Sequence, residues 1–189
     1  MKLRQLYEAP SSGWAGDVFG RFYDKDEPEA PAERPSAFSS HTGIPKNSAK
    51  PGNVRKAMNF FMGKGLTREQ AAGVVGNLQA ESGIRLNSNA VGDGGRAKGI
   101  AQWHPDRRAN FERWKGIPFD NSTFEDQLQF IWWEFTNTER NAYRRLLRTT
   151  TAEEAAQIID QYYERSSGQH RQKRIELASA LADMENRYL

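Results

Sequence analysis

Glu81 is the residue whose type and position point most directly to chemistry. It closes a run from Ala71 to Gly83 that reads as a helix, with Gly83 as its C-cap. Val74, Leu78 and Glu81 are spaced i, i+4, i+7 and therefore share the helix's apolar face. A carboxylate among core residues is costly to ionise, and the negative end of the helix dipole adds to that cost. Both effects favour a protonated acid, which is what a proton donor needs. The competing structural reading is a solvated end residue or an arginine partner.

The segment from Ile84 to His104 follows. Glycine, asparagine and serine dominate it, so it reads as loop or short hairpin. Its glycines let backbone come close to a ligand. Asp93, Gln102, Trp103 and His104 contribute a carboxylate, an amide, a flat aromatic face and an imidazole. That mixture suits a sugar, with a ring to stack on and groups that hydrogen-bond its hydroxyls.

Together these stretches carry a resemblance. Ala80-Glu81-Ser82-Gly83, followed by Gly92-Asp93-Gly94-Gly95-Arg96-Ala97-Lys98-Gly99-Ile100-Ala101-Gln102-Trp103, resembles the phage tail lysozyme family, peptidoglycan-cleaving domains of phage virion proteins. Glu81-Ser82 and Gly99-Ile100-Ala101-Gln102 are also similar to the Glu-Ser and Gly-Leu-Met-Gln motifs of lytic transglycosylases and goose-type lysozymes. Tyr162-Tyr163-Glu164-Arg165-Ser166-Ser167-Gly168 resembles the family's aromatic-Glu-Arg-Pro segment, with Ser166 where proline is usual. The resemblance spans roughly Gly52 to Asp183.

It implies a lysozyme-like fold and a glycosidase that cleaves the MurNAc-GlcNAc β-1,4 bond of peptidoglycan, with Glu81 protonating the leaving oxygen. Asp93 is the nearest loop candidate for a second carboxylate, as nucleophile or as base for a water; its structural alternative is a turn residue bonded to its own loop. The other implied chemistry needs no second carboxylate. The sugar's own 6-hydroxyl attacks, Glu81 serves as acid and then base, and the product is a 1,6-anhydro sugar. Ser82, Gln102, Trp103, His104 and Tyr163 are the expected substrate contacts. Three have a structural counterpart: Ser82 capping its helix end, Gln102 holding its loop, Trp103 packing in the core or at its rim. Tyr162 and Glu164 are further candidates to reach the cleft, with at least one tyrosine of the pair Tyr162 and Tyr163 in the core.

Composition sets outer limits. The 189 residues are 37% hydrophobic, enough for one domain with a core plus a tail. There is no cysteine, hence no disulfide or thiolate metal site. With three histidines and no ligand spacing, neither a metal nor another cofactor is implied. No apolar run is long enough for a membrane span, and the N-terminus lacks the apolar core of a signal peptide. A wall enzyme of this kind would be carried within a phage particle, in its tail or as an internal protein, and would act in the host periplasm or cell wall. The net charge of +3 suits an anionic wall and is too small to argue for nucleic acid. A third possibility is a non-catalytic wall-binding or structural virion module. Arg140, Arg144 and Arg148 fall at i, i+4, i+8 and read as a solvated helical stripe.

The elements that must position these residues begin near residue 52. Residues 1–51 hold most of the prolines and no sustained apolar period, and read as an irregular N-terminal arm. Trp14, Phe19, Phe22 and Tyr23 in that arm could dock on the domain or on another virion protein. Residues 52–189 read as a mainly α catalytic domain with at most a small β-hairpin between Ile84 and Ile100. Asn53 caps a first helix through Met62. Thr67 and Gln70 form a capping box for the helix carrying Glu81. Pro105 sits at N1 of a helix through Trp114. Ser122 with Glu125 and Thr151 with Glu154 make further boxes. Phe124, Leu128, Ile131 and Phe135 form one inward stripe, and Ala155, Ile158, Ile159 and Tyr162 another. The pair Trp132 and Trp133 should place one ring in the core. The last helix runs from about Arg171 to Arg187 with Ile175, Ala178, Leu181 and Met184 inward.

Overall fold

Helix α2 (Arg68–Ser82) is the axis around which the rest is built in a computed structural model that describes residues 52–184. The expectations for the arm 1–51 and for residues 185–189 lie outside the described residues. Seven α-helices occur among the described residues: α1 (Asn53–Gly63), α2, α3 (Pro105–Lys115), α4 (Phe124–Thr136), α5 (Arg140–Leu146), α6 (Ala152–Ile159) and α7 (Arg171–Asp183). The described strands are β1 (Val91–Gly92) and β2 (Ala97–Lys98), an antiparallel pair in which Val91 faces Lys98 and Gly92 faces Ala97. The domain is mainly helical with one small hairpin, as its sequence predicts. No described helix is long and apolar enough to cross a membrane.

Burial of α2 is nearly all-round rather than a single stripe. Every residue from Gln70 to Gln79 is buried. A helix hydrophobic on one face only would not tolerate this. The composition explains it: alanine and glycine let two helices press onto α2 at once. A Cβ built on Gly73 would lie 2.4 Å from the Cβ of Ala155 in α6, and one on Gly76 would lie 2.7 Å from the backbone nitrogen of Ala178 in α7. The buried amide of Asn77 fits because it is bonded. Its Nδ2 donates to Gly73 O at 2.8 Å and to Ala156 O at 3.0 Å, which removes the cost of an unpaired polar group.

Helix α4 carries the aromatic core. Phe124, Leu128, Ile131 and Phe135 are all buried, as their spacing predicts. Phe130 adds a second layer against Trp103 and Phe111, at centroid distances of 5.4 and 5.3 Å. Fully burying side chains of this size contributes about 1.5–3 kcal/mol each. Trp132 and Trp133 are both half-buried.

Capping follows the sequence with three corrections. The Thr67–Gln70 box is present in both directions, and Pro105 is at N1 of α3. The box of α4 is Thr123 with Asp126, one residue beyond the expected Ser122 and Glu125; the Ser122 hydroxyl is instead taken by Gln127 Nε2 at 3.0 Å. Asn53 does not cap α1, whose N-cap is Gly52; its amide donates to Leu86 O at 3.0 Å and ties α1 to the loop after Glu81. The Arg140–Arg148 stripe is broken, because α5 stops at Leu146. Thr151 accepts from Glu154 N–H at 3.2 Å, while the Glu154 carboxylate turns to Thr150 N–H at 3.1 Å, so that box is half formed. Ala155 and Ile159 of α6 are buried, and Ile158 and Tyr162 are half-buried. In α7, Ala178 and Leu181 are buried, Ile175 is half-buried, and Met184 is exposed rather than inward.

Candidate active site

Glu81 lies in the last turn of α2, where Gly83 ends the helix and its N–H returns to Gln79 O. The side chain is 21% exposed and opens onto a cleft. It is not isolated among apolar groups: Arg174 Nη2 of α7 donates to Glu81 Oε1 at 2.6 Å. Arg174 is itself buried and spans two further partners. Its Nη1 donates to Asn77 Oδ1 at 3.1 Å, and its Nε lies 3.1 Å from Asp160 Oδ1. Asp160, fully buried, also takes Arg171 Nε at 3.0 Å. The chain Asp160–Arg174–Glu81 therefore fixes where the Glu81 carboxylate points. Arginine suits this role because its planar fork holds several acceptors in set directions.

The turn at Asp160–Glu164 is π-helical and ends at Arg165, whose φ is +53°. Such turns distort the bonding ladder and recur at functional sites. Ser166 secures the segment in this chain. Its N–H donates to Asp160 O at 3.2 Å, a bond that a proline there could not make. Its hydroxyl bonds Asp160 Oδ1 and accepts from Gly168 N–H at 3.0 Å.

The hairpin segment forms the facing wall. Lys98 N–H donates to Trp103 O at 3.2 Å and Trp103 N–H returns to Lys98 O at 2.8 Å, closing the turn that carries Gln102. Gly99 within it has φ +80°, and a Cβ there would sit 2.8 Å from Gln127 Oε1. Gln127 is why the turn is fixed: its Oε1 accepts Ile100 N–H at 3.0 Å and its Nε2 donates to Ser88 O at 3.0 Å. Gln102 itself adopts φ +45°, and its Nε2 donates to Gly99 O at 2.9 Å. A side chain at Gly92 would collide with the Gln102 amide, at 2.3 Å from Oε1. Asp93 also has positive φ, +45°. Two non-glycine residues held in this costly conformation, about 1–3 kcal/mol each, mark a segment shaped by its surroundings.

The cleft of about 330 Å³ is lined by Glu81, Glu164, Arg107 and Ser166 on the helical side and by Asp93, Ala97, Ala101, Gln102 and His104 on the hairpin side. Asp93 and His104 are exposed at its lip, with His104 Nε2 3.8 Å from Asp93 Oδ2. Four expected site residues, Glu81, Asp93, Gln102 and His104, are thus brought together.

Three are not. Trp103 is fully buried, 0% exposed. Its indole N–H donates to Glu134 Oε2 at 2.9 Å, and its ring packs on Phe119 and Phe130. It offers no face to a sugar. Tyr163 is 1% exposed and its hydroxyl donates to the same Glu134 oxygen at 2.6 Å. Ser82 is buried and its hydroxyl donates back to Leu78 O at 2.9 Å, so it serves its own helix end rather than Glu81. In all three cases a polar atom on a bulky or small side chain found an internal partner, which sequence spacing alone does not reveal.

Glu164 is the group that sequence reasoning undervalued. It is half-buried, and its Oε1 is enclosed with no hydrogen-bond partner. Burial, and next the charge of Glu81, push its carboxyl up to about 8 against the opposing pull of Arg107 and Arg174. Arg107 has little to offer it directly: its Nε and Nη2 both donate to Glu134, at 2.8 and 2.9 Å. Its place in the Tyr162–Gly168 motif was visible; the charges that act on it come from α2, α3, α4 and α7.

Residues 52–184 match the model of the phage tail lysozyme family. The chain belongs to that family, which places it among the lysozyme-like, cell-wall-acting proteins of phages. Morphogenesis protein 1 of Bacillus phage B103 is 29% identical over 133 residues, which cover 65% of this chain and 36% of that protein. The chain therefore spans little more than a third of that relative's length.

Proposed function

We propose that this protein is a virion-associated muramidase that cleaves the β-1,4 bond between MurNAc and GlcNAc, with Glu81 as general acid. The observation that carries the reading is the meeting of Glu81, aimed by Arg174, with Asp93, Gln102 and His104 across one open cleft. Cleavage needs a proton on the leaving oxygen as positive charge develops on the sugar ring. Glu81 is the carboxyl fixed on a rigid helix at the cleft surface, and placement on a rigid element is what proton transfer requires. Gln102 and His104 supply donors and acceptors for sugar hydroxyls. Asp93, exposed at the opposite lip, is the second carboxylate, positioned to act on the other face of the ring.

Mass spectrometry of fragments released from purified peptidoglycan tests this with the wild type, Glu81→Gln and Asp93→Asn. Disaccharide-peptides with reducing ends, absent with Glu81→Gln and reduced about 10²-fold or more with Asp93→Asn, are the expected result. Products lighter by one water, unaffected by Asp93→Asn, mean a lytic transglycosylase. Full activity of Glu81→Gln removes Glu81 from the mechanism, and wall binding without fragments from any form means a structural module.

A further inference from the structure

Glu164 is a half-buried titratable group with one enclosed oxygen, and the mechanism above leaves it unused. It lines the same cleft as Glu81, its Oε1 is enclosed, and among the described residues nothing donates a hydrogen bond to it. An ionised carboxylate in that position is expensive. The neighbouring guanidiniums are engaged elsewhere. Arg107 of α3 grips Glu134 of α4 through two nitrogens, and Arg174 of α7 is divided among Glu81, Asn77 and Asp160. Glu81 and Glu164 thus face one cleft, and only Glu81 has a directly bonded cation. A second carboxylate facing the same cleft makes Glu164 still harder to ionise.

We propose that Glu164 shares one acidic proton with Glu81 and so keeps a proton available to Glu81 opposite Arg174, acting as a positioning residue for the proton donor. The inference rests on Glu81 being that donor. At rest, Arg174 is bonded to Glu81 and the proton sits on Glu164. Transfer leaves Glu164 ionised and Glu81 protonated, with no change in net charge. Glu81 then gives its proton to the glycosidic oxygen as the bond to the sugar's C1 breaks. The water that completes hydrolysis delivers its hydroxyl to C1 and its proton back to the pair. The raised titration of Glu164 agrees with this arrangement. The groups acting on it are Glu81, Arg107, Arg174 and Glu134 from the four packed helices and Tyr163 on its own turn, with Asp93 and His104 also in the cleft.

The test is the pH dependence of kcat/KM on purified peptidoglycan for the wild type, Glu81→Gln and Glu164→Gln, with thermal melting to check folding and ¹³C NMR titration of the glutamate carboxyls. Folded Glu164→Gln should stay active at acidic pH, with its alkaline limb moved down by at least about one pH unit, a roughly tenfold loss above the limb. In Glu81→Gln, activity should vanish at every pH, and the Glu164 titration should move down from about 8. A Glu164→Gln profile superimposed on the wild type overturns the shared proton. So does complete inactivity of the folded variant at every pH, which would make Glu164 the donor itself. If Glu164→Gln does not fold, the NMR titration decides: an unchanged Glu164 midpoint in Glu81→Gln overturns the inference. Retained activity in Glu81→Gln overturns instead the assignment of Glu81 on which it rests.

Discussion

Arg174 of α7 donates to Glu81 of α2 at 2.6 Å across 93 residues of sequence, and the same guanidinium lies 3.1 Å from the buried Asp160. The candidate acid is therefore aimed by a residue from the far end of the domain. Arg174→Met keeps much of the side chain's bulk and removes the charge. It leaves Asp160 without one of its two cations in a buried site, which costs about 3–5 kcal/mol when one partner of a buried pair is lost. Arg174→Lys keeps the charge and loses the fork that holds Glu81, Asn77 and Asp160 together. We expect Arg174→Met to lose several degrees of melting temperature. Arg174→Lys should melt closer to the wild type yet lose about 10–10²-fold in kcat/KM. Equal activity in Arg174→Lys and the wild type would show that the guanidinium geometry is immaterial.

Glu164 also gives stability a pH dependence of definite sign. Its folded carboxyl titrates at about 8 against an ordinary 4.5. The folded protein thus holds this proton more tightly than the unfolded chain does. The contribution to stability is complete below pH 4.5, declines as pH rises towards 8, and is gone above it. The slope from this one group is at most about 1.4 kcal/mol per pH unit. Asp126, held down to about 2 by Lys115, acts in the opposite sense: its contribution is present above 3.8 and lost as pH falls through 2. Urea melts from pH 5 to 9 should show the wild type weakening relative to Glu164→Gln. Parallel stability curves for the two would contradict the enclosure of Glu164.

Glu134 is a buried carboxylate that collects four donors: Trp103 Nε1, Tyr163 Oη, and Arg107 Nε and Nη2. It holds the hairpin segment, the start of α3 and the π turn to α4. Glu134→Gln keeps the shape but puts an amide NH₂ against donors and leaves Arg107 without its counter-charge. We expect a loss of about 3–5 kcal/mol in urea unfolding, with Glu134→Ala costing more because a cavity is added. A stability within 1 kcal/mol of the wild type would show that water or rearrangement replaces the carboxylate without difficulty.

Much of the fold was legible because local rules and burial agreed. The Thr67–Gln70 box, Pro105 at N1 and the Phe124–Phe135 stripe all became what their spacing predicts. Glu81 and the hairpin residues could be named as neighbours of one cleft because glycines and a C-cap fix the turn between them. What was illegible was partnership over distance. Nothing near Glu81 announces Arg174, and nothing near Trp103 or Tyr163 announces that Glu134 would accept both and draw them inside. The capping error at Ser122 has the same origin: Gln127 takes that hydroxyl, and Thr123 with Asp126 serves the helix equally well. The all-round burial of α2 was hidden because glycine and alanine carry little hydropathy, although they permit the closest approach.

That close approach yields a prediction whose sign runs against helix propensity. Gly73→Ala and Gly76→Ala in an exposed helix would each stabilise by about 1 kcal/mol. Here the new methyl at position 73 would stand 2.4 Å from Ala155 Cβ and 2.7 Å from the Ala155 carbonyl carbon. At position 76 it would stand 2.7 Å from Ala178 N and 3.0 Å from Ala178 Cα. Backbone atoms cannot rotate aside as a side-chain tip can, so α6 or α7 must move away from α2. Overpacking of this kind costs about 1–3 kcal/mol or more. Both variants should therefore be destabilised in urea titrations. Ala155→Gly should rescue Gly73→Ala only in part, because the clash with the 155 backbone remains. Gly76→Ala carries a further consequence, since α7 bears Arg174: displacing α7 lengthens the contact with Glu81, and kcat/KM should fall more than stability alone accounts for at temperatures where the variant is fully folded. A Gly76→Ala variant as stable and as active as the wild type would show that α2 and α7 are not packed as closely as 2.7 Å requires.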